Sequence, residues 1–225
     1  QSSRIADRGR VGGPASCIWV GDRVGASCIW VGGREWAKLD HNMSDAREYL
    51  DIIDRFGDCR VALWGDLVLD RFSLGTPKRV SREAPVIILR HEEQRDVPGG
   101  GANALANHAA VGVQVAAIAA VGDDEPGRAL VAALESRGID TGRIVFAPGY
   151  RTPTKVRILG GGQSSLKHQV ARYDIEDVLP EDGPWRSTLR EHLSEEIKSA
   201  DAIAISDYGY GCVQKEVLQS IDREP

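Results

Sequence analysis

The clearest indication of the fold is one stretch of sequence, Val113-Gln114-Val115-Ala116-Ala117-Ile118-Ala119-Ala120-Val121-Gly122-Asp123-Asp124-Glu125-Pro126. Its apolar run has the length of a strand and almost no polar interruption, which is typical of a strand that is buried on both faces in a parallel sheet. Gly122 closes the strand, and Pro126 lies early in the helix that follows, which should end at Gly138. The stretch therefore predicts a buried strand followed by a helix.

The same alternation continues on both sides of this unit. Further strands are predicted at 60–64, 144–146 and 202–206, and helices at 43–56, 102–111 and 184–199. Strands that alternate with helices form βαβ units, so the main sheet is predicted to be parallel and the fold class to be α/β. The apolar runs at 86–89, 155–159 and 166–172 have no helices between them, and they predict a small antiparallel flap beside the main sheet.

Composition narrows the function classes. The 225 residues are 42% hydrophobic and 27% charged, with a formal net charge of -5. Because acidic and basic residues are interspersed, we expect no nucleic-acid partner, and without an apolar run of about 18 residues we expect no membrane span. The four cysteines, Cys17, Cys28, Cys59 and Cys212, include no C-x-x-C pair. We therefore expect a reducing, cytoplasmic compartment and small-molecule partners.

The first 42 residues differ from the rest. The heptapeptide Ala-Ser-Cys-Ile-Trp-Val-Gly occurs at 15–21 and again at 26–32, and the only methionine is Met43. We interpret residues 1–42 as a non-native or disordered leader, either translated upstream sequence or a cloning artefact, that contributes nothing to fold or function. The alternative is a binding tag rich in Trp and Cys.

Acidic side chains follow the predicted strands. Asp66 and Asp70 come after the first strand, Asp123 and Asp124 after the strand ending at Val121, and Asp207 after 202–206. Ligands of an open parallel sheet bind beyond the carboxyl ends of its strands. Asp before a helix is more often a cap, so we favour capping for Asp123 and Asp124 and ligand contact for Asp70 and Asp207.

The segment Pro98-Gly99-Gly100-Gly101-Ala102-Asn103 opens a predicted helix. Consecutive glycines let a ligand approach the backbone, and a helix N-terminus offers free N–H donors. A dinucleotide fingerprint would have to follow a strand directly, whereas residues 91–98 are charged and carry no apolar run, so we disfavour that interpretation. A glycine-rich turn without a ligand remains the simpler alternative.

Taken in order, several motifs resemble one family. They are Gly65-Asp66-Leu67-Val68-Leu69-Asp70-Arg71-Phe72, Ser81-Arg82-Glu83-Ala84-Pro85-Val86, Pro98-Gly99-Gly100-Gly101-Ala102-Asn103, Val121-Gly122-Asp123-Asp124-Glu125-Pro126-Gly127, Thr154-Lys155-Val156-Arg157, Gly161-Gly162-Gln163 and Ile205-Ser206-Asp207-Tyr208. The chain from Cys59 onward resembles the ribokinase-like (phosphofructokinase-B type) carbohydrate kinases. Within them it is most similar to the bacterial D-glycero-D-manno-heptose 7-phosphate kinases.

The resemblance implies a three-layer α/β sandwich with a mostly parallel sheet. It also implies a small β lid within 72–98 and 152–174 that closes over the sugar and forms a homodimer contact. By this resemblance Asp70 holds sugar hydroxyls, Gly100, Gly101 and Asn103 line the sugar pocket, and Asp207 adds a polar contact. The complete enzyme would use ATP and Mg²⁺.

Two basic residues on the lid extend this expectation. Lys155 and Arg157 could reach the phosphate of an anionic sugar, since a guanidinium fork matches phosphate oxygens. The alternative, solvated charges on an exposed face, stays open.

The chain departs from the family in two places. Gly209-Tyr210-Gly211 stands where the family has Ala-Lys-Gly, which leaves the exact sugar open. The family's Gly-Ala-Gly-Asp segment, which brings the catalytic base and the anion hole, does not occur in the 225 residues. We therefore expect residues 43–225 to be the N-terminal, sugar-binding part of a kinase whose catalytic residues lie beyond Pro225, and we expect this chain alone to be inactive.

Three functions remain in competition. The first is the sugar-binding part of an ATP-dependent heptose 7-phosphate kinase that serves surface-polysaccharide synthesis. The second is a catalytically silent sugar-binding or assembly module. The third, a nicotinamide-dependent oxidoreductase, is disfavoured by the position of the glycine motif.

Overall fold

The computed structural model describes residues 16–21, 26–31, 46–162, 167–214 and 216–217. The helices are α1 (Ala46–Asp54), α2 (Gly101–Ala110), α3 (Glu125–Glu135) and α4 (Trp185–Ser199), with a short 3-10 turn at Phe56–Asp58. The strands are β1 (Ser16–Gly21), β2 (Ala26–Val31), β3 (Arg60–Gly65), β4 (Leu67–Val80), β5 (Ile87–Gly100), β6 (Gln114–Gly122), β7 (Asp140–Ala147), β8 (Thr154–Gly160), β9 (His168–Ile175) and β10 (Ala202–Asp207).

The main sheet has the strand order β1-β2-β10-β3-β6-β7. Strands β10, β3, β6 and β7 pair in parallel, which confirms the predicted α/β class with a mostly parallel sheet. Every residue of β6 after Gln114 is buried, as the apolar run predicts. The carboxyl ends of the four parallel strands therefore share one edge of the sheet.

Helices cover both faces of this sheet. Leu63 of β3 lies beside Gly101, the first residue of α2: a Cβ placed on Gly101 would be 3.4 Å from Leu63 Cδ2. The next residue, Trp64, lines a small cavity together with Leu189 and Leu193 of α4. Because successive side chains of a strand point to opposite faces, α2 and α4 lie on opposite sides of the sheet. The result is the expected three-layer sandwich.

A second sheet has the order β5-β4-β8-β9 and forms the lid. The predicted flap was antiparallel, and this is wrong in one respect, because β4 and β8 pair in parallel. Residues 91–98, expected to contain no strand, belong to β5, which pairs with β4 along its whole length. The ladder of backbone hydrogen bonds to β4 makes this charged segment a strand although it has no apolar run.

The two copies of the N-terminal repeat form strands β1 and β2. They pair with each other as antiparallel neighbours, and β2 pairs antiparallel with β10. The backbone of residues 16–21 and 26–31 thus extends one side of the main sheet. Our interpretation of residues 1–42 as a non-native leader stays a prediction.

A buried carboxylate links strands of the main sheet near their amino ends, which is the edge of the sheet away from the lid. Glu196 of α4 is fully buried and accepts hydrogen bonds from Arg60 Nε at 3.2 Å and Nη2 at 2.8 Å. Its Oε1 also lies 2.8 Å from Arg143 Nε. These two arginines stand near the beginnings of β3 and β7, so the carboxylate links α4 to both strands.

We expect Glu196→Ala to lower the free energy of unfolding by about 1.5 to 3 kcal/mol, because Arg60 loses a charged hydrogen-bond acceptor and Arg143 loses an ion-pair partner. Chemical denaturation measures this loss. Ser194→Ala, on an exposed turn of the same helix, is the control and should change stability by less than about 0.5 kcal/mol. Equal stability of the two variants would contradict the role of Glu196.

Candidate functional site

The backbone of Asp66 joins three elements at the carboxyl edge of the main sheet. Its N–H donates to the carbonyl of Ser206 at 2.9 Å, and its carbonyl accepts from the N–H of Gly101 at 3.0 Å. Asp66 directly follows β3, Ser206 belongs to β10 and Gly101 is the first residue of α2. The predicted strand-end acid Asp207 and the predicted glycine turn are therefore brought together.

The carboxylate of Asp66 is buried and organises the loop after β10. Oδ2 accepts the N–H groups of Tyr208 at 2.8 Å and Tyr210 at 3.0 Å, and Oδ1 accepts that of Cys212 at 3.0 Å. Burial raises the pKa of this carboxyl, and the three backbone donors act in the opposite direction. The sequence placed Asp66 at a strand end, and its contact with a loop more than 140 residues away emerges only from the fold.

The glycine turn is required first by packing. Gly100 has a φ of +56°, which disfavours residues with a side chain, and a Cβ there would lie 2.8 Å from Val68 Cγ2. A Cβ on Gly101 would lie 2.7 Å from the carbonyl oxygen of Asp66. Gly100 and Gly101 thus have a structural role that needs no ligand, and lining a sugar pocket stays a prediction for both.

Asp70 lies on a lid strand. It follows β3, the first predicted strand of the main sheet, as expected, and it lies within the next strand, because β4 begins at Leu67 and continues through it. The carboxylate packs over Gly99, where a Cβ would come within 2.6 Å of Oδ2. Close approach of β5 to β4 therefore places Asp70 beside the glycine turn.

Arg157 of β8 contacts Asp70 directly. Its Nη1 donates to Asp70 Oδ1 at 2.6 Å, and its guanidinium carbon lies 5.3 Å from the centre of the Phe72 ring. The side chains of Asp70 and Arg157 are 23% and 21% exposed, so both charges stay within reach of solvent. The sequence predicted both residues as ligand contacts, and the fold makes them an ion pair with an accessible side.

More charges line the same face of the lid. Lys155 is the register partner of Asp70 on one side and of Asp174 on the other, and its Nζ lies 3.9 Å from Asp174 Oδ2. Arg172 donates to Asp174 from Nε at 2.7 Å and from Nη2 at 2.5 Å. The hydrogen bond from Arg172 lowers the pKa of Asp174. Nothing in the sequence singled out Arg172 or Asp174, because their place follows from the pairing of β8 with β9.

Two residues that were predicted to contact the sugar, Asn103 and Asp207, have exposed side chains. The side chain of Asn103, in the first turn of α2, forms no hydrogen bond with the residues that the structure describes. Asp207 Oδ1 accepts the N–H of Gly209 at 2.8 Å, which forms a local turn at the end of β10. Both side chains can accept a partner, and their contact with a sugar stays a prediction. Gln163, from the motif Gly161-Gly162-Gln163, lies outside the residues that the structure describes.

Asp124 is a helix cap, as predicted. Its Oδ1 accepts the N–H of Gly127 at 2.8 Å in the first turn of α3. It also accepts the hydroxyl of Thr152 at 2.7 Å, and Oδ2 accepts the Thr152 N–H at 2.9 Å. Asp123, for which capping was also predicted, instead forms an exposed ion pair with Arg128 of α3. The cap thus fixes the segment that leads into β8.

Tyr210 joins the loop after β10 to the lid. Its hydroxyl donates to Glu176 Oε1 at 2.9 Å, one residue past β9, and its carbonyl accepts the N–H of Leu179 at 2.9 Å. Burial and the neighbouring Glu176 raise the pKa of Tyr210 to about 12. In the sequence, Tyr210 differs from the Ala-Lys-Gly that the resemblance leads us to expect. Its contact with Glu176 is not predictable from that difference.

Metal-binding residues do not cluster in the part of the chain that the structure describes. No group of three or more His, Cys, Asp or Glu side chains is placed there to hold an ion. The two cysteines whose side chains are described, Cys59 and Cys212, are free thiols, and burial raises the pKa of Cys212. None of the described helices is long and apolar enough to cross a bilayer.

The parallel sheet, the β lid and the glycine turn beside Asp70 define an α/β protein and agree with what the resemblance to the carbohydrate kinases implies. The family model of the pfkB family carbohydrate kinases matches residues 61–221. The chain belongs to this family.

Curated proteins named Bifunctional protein HldE are similar to the chain. The Bifunctional protein HldE of Hyphomonas neptunium is 37% identical over 172 residues, which cover 76% of this chain and 34% of that protein. The protein of the same name from Gluconobacter oxydans is 37% identical over 171 residues, 76% of this chain and 35% of that protein. The chain thus spans about a third of the length of the curated relatives that it matches.

Solved structures of sugar kinases are also similar. Phosphofructokinase-2 from Escherichia coli, in complex with substrates and products, has a TM-score of 0.43 and 20% identity, and the match covers 61% of this chain and 41% of that chain. A sugar kinase from Clostridium perfringens has a TM-score of 0.43 and 18% identity, with 73% of this chain and 40% of that chain covered.

Proposed function

We propose that the chain forms the sugar-binding part of an ATP-dependent carbohydrate kinase whose acceptor is a phosphorylated sugar, a heptose 7-phosphate. The observation that carries this proposal is the pair formed by Asp70 and Arg157 beside the glycine turn. A carboxylate recognises sugar hydroxyls, and a guanidinium recognises phosphate oxygens. Family membership supports the class of reaction, and the order of the motifs supports the heptose.

The lid face carries enough positive charge for an anion. Lys155, Arg157 and Arg172 stand on adjacent lid strands, against the two carboxylates Asp70 and Asp174. Hydroxyls that bind Asp70 would loosen its bond to Arg157, because both compete for the same oxygens. The guanidinium would then turn toward the phosphate. A neutral sugar offers no such second partner, so the site should prefer a phosphorylated one.

The phosphoryl-transfer groups are proposed to lie outside these 225 residues. The Gly-Ala-Gly-Asp segment expected to supply the base does not occur among them. The described residues likewise offer no group of three or more His, Cys, Asp or Glu side chains that could hold Mg²⁺. ATP and Mg²⁺ belong to the complete enzyme. Sugar-dependent ATP consumption by the 225-residue chain that Asp70→Ala abolishes would contradict this division.

The lid is also proposed to form a homodimer contact. Val80, Val86 and Ile87 are exposed where the β4–β5 hairpin extends beyond β8 and β9. Exposed apolar side chains at the end of a sheet are typical of protein contacts.

We place the protein in the cytoplasm with small-molecule substrates, in keeping with its composition.

Thermal unfolding tests the proposed function. A ligand that binds only the folded state raises the melting temperature with its concentration. We expect D-glycero-D-manno-heptose 7-phosphate to raise the melting temperature more than the unphosphorylated heptose or a hexose 6-phosphate at equal concentration. No rise with any sugar phosphate would contradict the proposal. The alternative, a catalytically silent sugar-binding module, predicts the same rise but no kinase activity in the full-length protein.

A further inference from the structure

We propose that Asp66 is the positioning residue of the sugar site, because its buried carboxylate fixes the loop 207–212 against the start of α2. The inference rests on the proposed function, since the loop and the helix start flank the sugar pocket. Asp66 is only 2% exposed and is not expected to touch a ligand. Its effect on binding would therefore act through the residues that it holds.

The hydrogen-bonding pattern makes Asp66 the common partner of both segments. Three alternate N–H groups of the loop, those of Tyr208, Tyr210 and Cys212, converge on its two oxygens. The Asp66 carbonyl holds the N–H of Gly101. One residue thus sets the distance between the loop that carries Asp207 and the glycine turn.

The loop in turn contacts the lid. Tyr210 donates to Glu176 just after β9, and its carbonyl holds Leu179. Asp66 therefore also fixes the place where the lid returns to the body of the protein. The loop Asp207-Tyr208-Gly209-Tyr210-Gly211-Cys212 carries no basic residue, so it adds no cation to the site and supplies this contact instead.

A carboxylate is needed here, since only acceptors can satisfy three converging N–H donors. Asparagine has nearly the same shape but would direct an NH₂ group at one or two of these donors. The loop would then have to move, or buried N–H groups would lose their partner. The strands of the main sheet form their own ladders and should persist.

Asp66→Asn tests the inference, with Glu196→Gln as the control. Glu196 is equally buried and holds two arginines at the opposite edge of the sheet, so the control weakens the fold without touching the site. Calorimetry with heptose 7-phosphate measures affinity, and hydrogen exchange measures the protection of single amides. Both are measured on the 225-residue chain at a temperature where every variant is folded.

We expect Asp66→Asn to weaken binding by at least about tenfold and to speed exchange at the amides of Tyr208, Tyr210 and Cys212 while β6 stays protected. Glu196→Gln should lower the melting temperature and leave the affinity within about twofold. If Asp66→Asn does not fold, Asp66→Ser, whose shorter side chain directs no NH₂ group at the loop, takes its place with the same expectation.

Unchanged affinity in the folded Asp66 variant would overturn the inference, as would faster exchange spread evenly over the sheet. Failure of the wild-type chain to bind any sugar phosphate would instead overturn the proposed function. The exchange pattern would still decide whether Asp66 holds the loop, because that measurement needs no ligand.

Discussion

Asp70→Ala is expected to weaken the binding of heptose 7-phosphate by about 1 to 3 kcal/mol, which is about fivefold to 150-fold in the dissociation constant. Two effects oppose each other. The variant loses a charged acceptor for sugar hydroxyls, and it frees Arg157 to bind phosphate. Because the Asp70–Arg157 ion pair is partly exposed, releasing Arg157 from it can strengthen phosphate binding by no more than about 1 kcal/mol. The loss of the hydroxyl contacts should therefore dominate.

Asp123→Ala is the control for this measurement. Its carboxylate is 63% exposed and pairs with Arg128 of α3, so its removal changes the net charge equally without touching the lid. Isothermal titration calorimetry should give this variant the wild-type affinity. Equal affinities of the Asp70 and Asp123 variants would show that Asp70 does not bind the sugar.

The second large effect concerns stability. Gly65→Ala is expected to lower the free energy of unfolding by about 3 kcal/mol or more, because the new Cβ would lie 2.2 Å from the Ser206 carbonyl oxygen. The φ of Gly65 is not positive, so alanine can adopt its backbone conformation and the cost comes from steric overlap alone. Since Ser206 belongs to β10, relief of the overlap would separate β3 from β10. The denaturation midpoint measures the loss.

Gly57→Ala controls for the change from glycine to alanine. A Cβ at Gly57 would meet its nearest neighbour, the Gly112 carbonyl oxygen, at 3.9 Å, which is ordinary contact. This variant should unfold within about 1 kcal/mol of the wild type. A wild-type midpoint for Gly65→Ala would mean that β3 and β10 are farther apart than the structure places them.

The core of the fold was predictable because its signals are local. The apolar run of β6, the proline near the start of α3 and the cap at Asp124 are each encoded within a few residues. The lid strands were less accessible. In β4 the polar pair Asp70 and Arg71 interrupts the apolar residues, and most of β5 is exposed. Their strand conformation is determined by mutual pairing, which no short window of sequence contains.

The site shows the same division. Asp70, Arg157 and the glycine turn were found through motifs, since each motif lies within one segment. The bond between Asp70 and Arg157 joins residues 87 positions apart, and Asp66 contacts Cys212 across 146 positions. Such contacts depend on the arrangement of the sheets, so the sequence indicated the residues without their partners.

The proposed function requires that this site recognises a phosphorylated sugar through Asp70 and Arg157 together. The most direct measurement is calorimetry of the wild type and Arg157→Met with heptose 7-phosphate and with the unphosphorylated heptose. We predict that the wild type prefers the phosphate by about tenfold or more, and that Arg157→Met removes most of this preference. Equal binding of both sugars by the wild type, or an unchanged preference in the variant, would contradict the claim.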